Sequence, residues 1–127
     1  MKTKLAAFAG CVALLTAALP LPAHHSFAAE YDNSKPVSLK GKAIKMDWVN
    51  PHCHLIIEVA APDGRTEQWT AETPPPNTLY RAGWRQTTIK GGEELTVNGF
   101  LSKDGANLMW ALSVDFAGGR KSMATYT

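Results

Sequence analysis

Cysteine is scarce in this chain. Cys11 and Cys53 are its two, and they stand in segments of opposite character. There is no C-x-x-C pair and no H-E-x-x-H run, so two of the most specific metal signatures are missing. Histidine is also scarce, with four in 127 residues. No internal repeat or low-complexity segment breaks the chain into units, and the length fits one domain. No cluster of Lys and Arg marks a nucleic-acid surface. Gly91-Gly92 lacks the strand and helix context of a phosphate loop. Ser26 follows His25 directly, but adjacent residues seldom reach one another as a nucleophile and base, and no acid is placed to complete a triad.

The amino-terminal segment has the layout of a secretion signal. Lys2 and Lys4 precede a nearly unbroken apolar run from Leu5 to Leu19, and Pro20 and Pro22 stop any helix before Ala23. The run is short for a bilayer span and has no charged stop-transfer flank. Residues 1–23 are therefore expected to be a signal peptide, leaving 24–127 as the mature domain with no transmembrane segment. Cleavage after Ala28 or Ala29 is the competing choice. Cys11 in FAGC only loosely resembles a lipoprotein site, because apolar sequence continues beyond it. Removing Lys2 and Lys4 from the 13 basic residues leaves 11, equal to the 11 acidic ones, so the mature chain has no charge excess to attract a polyanion. Only Cys53 survives cleavage, and an internal disulfide is excluded. The expected location is the periplasm or the exterior.

The rest reads as short strands. Residues 24–36 form an extended, turn-rich lead-in ending in EYDNSKP. From Val37 to Trp48 apolar residues alternate with polar ones, but the phase shifts between Gly41 and Ile44, as a bulge in a bent strand would require. His52 to Ala60 and Arg65 to Glu72 flank Pro62-Asp63-Gly64, a hairpin turn signal. Three prolines, Pro74 to Pro76, stop the third strand, and Asn77 to Ala82 suits one or two helical turns closed by Gly83. Glu94 to Phe100 and Leu108 to Phe116 complete five strands, followed by a glycine turn and a frayed tail. The expected class is all-β: a small five-stranded OB-like β-barrel with one short helix between strands 3 and 4. A β-sandwich is the alternative. Trp48, Trp69, Trp84 and Trp110, about one per element, are expected mainly in the core.

Several of these segments, HHSFAAEYD, PVSLKG, WVNPH, RAGW, GGEELTVNGF and SKDG in that order, resemble DUF6152, a family of small secreted proteobacterial proteins of unknown function. The resemblance spans essentially the whole mature chain and implies a secreted β-barrel domain, with no activity attached. It rests on His25, Ser26, Phe27, Tyr31 and Asp32 at the start and on Asn50, Pro51 and His52 at the turn.

All four histidines fall into two tight pairs, His24-His25 and His52-x-His54. Alternation along a strand puts His52 and His54 on one side and Cys53 on the other, where Cys53 joins Leu55, Ile57 and Val59 as core. Imidazoles about 7 Å apart along a strand can converge on one ion. If cleavage follows Ala23, His24 also brings a free α-amine, and amine, ring nitrogen and one further histidine would make a brace-like three-nitrogen site. Several nitrogen ligands favour copper, with zinc as the alternative. Tyr31, Asp32 and Asn50 are the candidates to support these ligands from behind. The plainer readings are a solvated pair, a turn contact for His52 and a free tail for His24 and His25. Glu58 and Glu72 could pair across neighbouring strands, although a solvated face is preferred.

The expected function is that of a metal-binding protein for carriage, buffering or delivery, with the metal ion as its partner. The alternative is a non-metal envelope module that recognises a peptide, glycan or protein through the barrel face. A copper redox enzyme ranks last, since a ligand set alone does not specify a substrate.

Overall fold

The computed structural model describes residues 27–119 and 121–126. The expected signal peptide, His24, His25 and Ser26 lie outside the described residues. A single helical turn, α1 (Phe27–Glu30), leads into β1 (Tyr31–Asp47), β2 (His54–Ala60) and β3 (Thr66–Glu72). Then come α2 (Pro76–Arg81), β4 (Glu94–Ser102), β5 (Leu108–Phe116), a 3-10 turn over Ala117–Gly119 and β6 (Lys121–Ala124). Among the described residues no helix is long and apolar enough to cross a membrane.

The protein is thus mainly β-sheet. β1 pairs antiparallel with β2 and β4, β2 with β3, and β4 with β5. β3 and β5 add a short parallel ladder through Thr70, Ala71 and Glu72. The five strands therefore pair in a closed cycle, β1–β2–β3–β5–β4–β1. β6 adds to the outside of β5.

β1 joins two neighbours because it is long and bent. Its residues 36–42 pair with β4 and its residues 42–47 with β2. The expected bulge is present: the register with β2 slips between Ala43 and Lys45, leaving Ile44 unpaired and exposed. Just before it the backbone of β2 comes so close to Gly41 that a Cβ would stand 2.3 Å from the Glu58 carbonyl oxygen. Gly99 plays the same part in β4, where a Cβ would meet the Trp110 carbonyl oxygen at 1.7 Å.

The hairpin between β2 and β3 is set by its turn. Gly64 takes φ +85°, and Asp63 accepts hydrogen bonds from the backbone N and the Nε of Arg65 at 3.0 and 2.6 Å. Those two bonds hold the Asp63 carboxyl below its usual range. Pairing then runs symmetrically about Asp63, from Ala60 with Thr66 to His54 with Glu72.

The interior collects the inward residues of every strand, Ala43, Leu55 and Ile57, Ala71, Leu95 and Val97, Met109, Ala111 and Val114, and Met123. Leu79 of α2, Trp84 and Ile89 close it. Cys53 is fully buried among them, as expected, although β2 begins only at His54 and Cys53 precedes the strand, and burial raises its thiol pKa. Trp84 and Trp110 are buried; Trp48 and Trp69 are partly buried against the core.

Three expectations need correction. Residues 31–36 are not a lead-in: they belong to β1, and Tyr31 is 2% exposed. Its neighbours are polar, so the pattern concealed a single anchor residue. The tail does not fray either. β6 is too short and polar to announce itself, but it completes the edge of β5, and Thr125 donates from N and Oγ1 to the carbonyls of Leu112 and Ala111 at 2.9 and 2.8 Å. The helix starts one residue earlier than expected, with Pro at its first turn, where a missing N–H costs nothing.

Candidate functional site

One row of side chains crosses the strands on their outer face. Asp47 is opposite His54, His54 opposite Glu72, Glu72 opposite Trp110, and Trp110 opposite Phe100. Directly paired residues share a face. The alternate positions Leu55, Ala71 and Met109 are fully buried inside, so this row points outward.

Trp110 is nevertheless only 6% exposed, because other rings cover it. Phe27 and Tyr31 each lie 5.6 Å away between centroids, His52 meets it edge-on at 5.3 Å, and Tyr126 stacks at 6.4 Å. Phe27 also stacks on Tyr31 at 5.5 Å. α1 is held there by the Lys103 N–H, which donates to the Glu30 carbonyl at 2.9 Å. The start of the described chain is thus packed on the outer face of the sheet.

Glu72 organises the polar half of this cluster. Its Oε2 accepts a hydrogen bond from the Tyr31 hydroxyl, and its Oε1 contacts Nδ1 of His52. An ionised carboxylate only accepts, so Nδ1 carries the hydrogen and, in the neutral ring, Nε2 is left with the lone pair. The His52 side chain is 38% exposed while that of Glu72 is 13% exposed. The carboxylate is tucked away and the imidazole reaches the surface. Burial, followed by the bond to Glu72 and its charge, pushes the Tyr31 phenol far above its ordinary value. Tyr31 therefore remains a donor at any physiological pH.

The expected site residues are distributed unevenly. His52 and Tyr31 meet through Glu72. His54 occupies the same row between Asp47 and Glu72, but it takes no hydrogen bond or ion pair among the described residues, and Asp47 pairs with Lys45 at 3.0 Å. Asp32 is spent on its own turn. It accepts from the Ser34 hydroxyl and N–H at 2.6 and 3.0 Å, which lower its pKa, and it sits 3.7 Å from Lys35. Asn50 is exposed and precedes the cis bond to Pro51. Among the described residues no three His, Cys, Asp or Glu side chains are grouped to hold a metal ion. Glu58 does not pair with Glu72, because Glu58 is opposite Gln68, four residues earlier on β3.

Glu72 and Trp110 are the site residues that sequence reasoning missed. The turn contained the signal for Glu72: His54 and Glu72 are equidistant from Asp63. Nothing comparable in the sequence announces the parallel β3–β5 contact that brings up Trp110.

The fold and this outer site define a small β-sheet protein with a carboxylate-held histidine set in an aromatic cover. A family model described as a family of unknown function, DUF6152, matches residues 12–109, and the chain belongs to that family. No curated protein and no solved structure matches it.

Proposed function

We propose that this is a secreted or periplasmic metal-binding protein built on an OB-like five-stranded barrel. It binds copper, with zinc as the alternative, for carriage, buffering or delivery. The closed pairing cycle, the parallel β3–β5 ladder and the position of α2 between β3 and β4 support the barrel reading.

The observation that carries the metal reading is the packing of His52 and Phe27 on the same tryptophan, with Glu72 holding Nδ1 of His52. Metal-ligating imidazoles commonly give their other ring N–H to a carboxylate, which fixes the tautomer and aims the free nitrogen. Glu72 supplies this hold, and Nε2 of His52 is the proposed ligand atom. His25 and His24 precede Phe27 by two and three residues. An extended chain covers about 10 Å in three residues, and Phe27 and His52 both lie against the ring of Trp110, at 5.6 and 5.3 Å between centroids. His24, through its ring and α-amine, and His25 would complete a nitrogen-rich site, with His54 as an accessory ligand.

Copper and zinc titration of protein secreted with its own processed terminus tests this reading, with intact mass fixing the first residue. The expected result is one-to-one copper binding, lost in His52→Ala and weakened by one extra residue before His24. Affinity unchanged by both alterations, or a mature chain that begins after Ala28, contradicts it.

A further inference from the structure

A second surface lies apart from this cluster, on the groove between Trp48 and α2. Trp48 and Tyr80 line both of its halves, with Pro76 and Arg81 at one end and Arg85 and Thr87 at the other. Among the described residues no carboxylate lines either half. Tyr80 is 58% exposed and Val49, beside Trp48, is 47% exposed. The groove has an aromatic floor of Trp48 and Tyr80, the amides Asn77 and Gln86 on its walls and one arginine in each half.

Arg85 is fixed before any partner arrives. Its guanidinium lies 3.8 Å over the Tyr80 ring. Its Nη1 donates to the carbonyls of Trp84 and Tyr80 at 2.7 and 3.2 Å. Its backbone is closed into a turn, with N donating to Thr88 Oγ1 at 2.7 Å and its carbonyl accepting from the Thr88 N–H at 3.0 Å. Nε and Nη2 take no partner among the described residues. That edge of the guanidinium matches the two oxygens of one carboxylate. The RAGW segment carries Arg81 at the end of α2 and leads directly into Arg85. Gly83 turns the chain at φ +93°, and Trp84 is buried with its Nε1–H donating to the Ala124 carbonyl at 2.8 Å. A cation held in this way loses little freedom on binding, which favours a ligand that fits it.

We infer that this groove binds an acidic segment of a partner protein. One carboxylate of the segment engages the open edge of Arg85, a second is drawn to Arg81, and an apolar side chain between them lies on Trp48 and Tyr80. Two cations flanking an aromatic floor match carboxylates alternating with apolar groups. A peptide has that pattern and a single phosphate does not. The surface is independent of the proposed metal site.

Fluorescence anisotropy of the full chain, in the presence of EDTA to remove metal, tests the inference. The probe is a fluorescein-labelled, amidated peptide alternating glutamate and phenylalanine, compared with its glutamine counterpart. The glutamine peptide is expected to bind at least about tenfold more weakly, the scale of one charge-assisted hydrogen bond. Arg85→Lys is expected to cause a similar loss because it keeps the charge and removes the fork, and Tyr80→Ala is expected to weaken both peptides. Both side chains are exposed, and an unchanged melting temperature shows that the variants fold. Absence of binding by the glutamate peptide, equal binding of the two peptides, or affinity unaffected by Arg85→Lys would overturn the proposal. Displacement of the probe by an oligouronate at equal or lower concentration would also overturn it, by assigning the groove to an acidic glycan.

Discussion

Two tryptophans are nearly equally buried for different reasons. Trp84 is enclosed by the core, 1% exposed, and its one polar atom is satisfied by the Ala124 carbonyl. Trp110 stands on the outward face of β5 and is 6% exposed only because Phe27, Tyr31, His52 and Tyr126 lie over it. The interior around Trp84 is one contiguous cluster of buried residues. The cover around Trp110 is assembled from the chain start, a loop histidine and the residue that follows β6 and Thr125, three segments far apart in sequence. Burial inside the sheet provides stability, and burial on top of it leaves a histidine edge at the surface.

Substitutions separate the two regions. Trp84→Ala is expected to have the largest effect, about 3–5 kcal/mol of unfolding free energy, measured by urea denaturation. It leaves a cavity and strands the Ala124 carbonyl. A loss under about 1 kcal/mol would place Trp84 outside the core. Glu72→Gln comes next, at about 1.5–3 kcal/mol, because a carboxylate accepting two bonds is replaced by an amide that can accept only one of them. With its oxygen toward Tyr31, the amide NH2 faces Nδ1 of His52 and drives the ring proton to Nε2. Copper affinity is therefore expected to fall about 10–100-fold. Stability loss without any change in affinity would separate Glu72 from the metal.

Tyr31→Phe is expected to cost about 1.5 kcal/mol near neutral pH, and its pH dependence has a defined sign. The folded state raises the Tyr31 pKa above the ordinary 10.0, so it binds the phenolic proton more tightly than the unfolded chain does. That stability is complete below pH 10.0 and is lost as pH rises beyond it. The gap between wild type and Tyr31→Phe in chemical denaturation should narrow above pH 10. A constant gap would contradict the assigned burial. Asp32→Asn is expected to have the smallest effect. Its bonds are local and exposed, so copper affinity should match wild type by calorimetry.

Much of the strand framework was legible because it rests on alternation and turns. Leu108–Phe116 was read to the residue, the hairpin followed from Pro62-Asp63-Gly64, and the phase shift after Gly41 located the bulge at Ile44. Elements that form by completing another element were not legible. β6 exists because β5 has an open edge, and Tyr31 is a buried anchor among polar neighbours. The site divides in the same way. His52 was singled out by its two-residue spacing from His54 and by the NPH run of the family resemblance. Glu72 was considered only as a partner for Glu58 or as a solvated side chain, although reflection about Asp63 places it opposite His54. Trp110 needed the parallel β3–β5 ladder, which pairs segments too far apart in sequence for periodicity to register.

In the proposed site, residues before Phe27 and the imidazole of His52 share one copper ion. Paramagnetic broadening by substoichiometric Cu(II), followed by 15N-resolved NMR on protein with its own processed terminus, tests it most directly. The signals of Phe27, His52 and the Trp110 indole N–H are expected to disappear first and together, while the Trp84 indole N–H is spared. Broadening centred elsewhere, or confined to the residues before Phe27 with His52 and Trp110 unaffected, would contradict it.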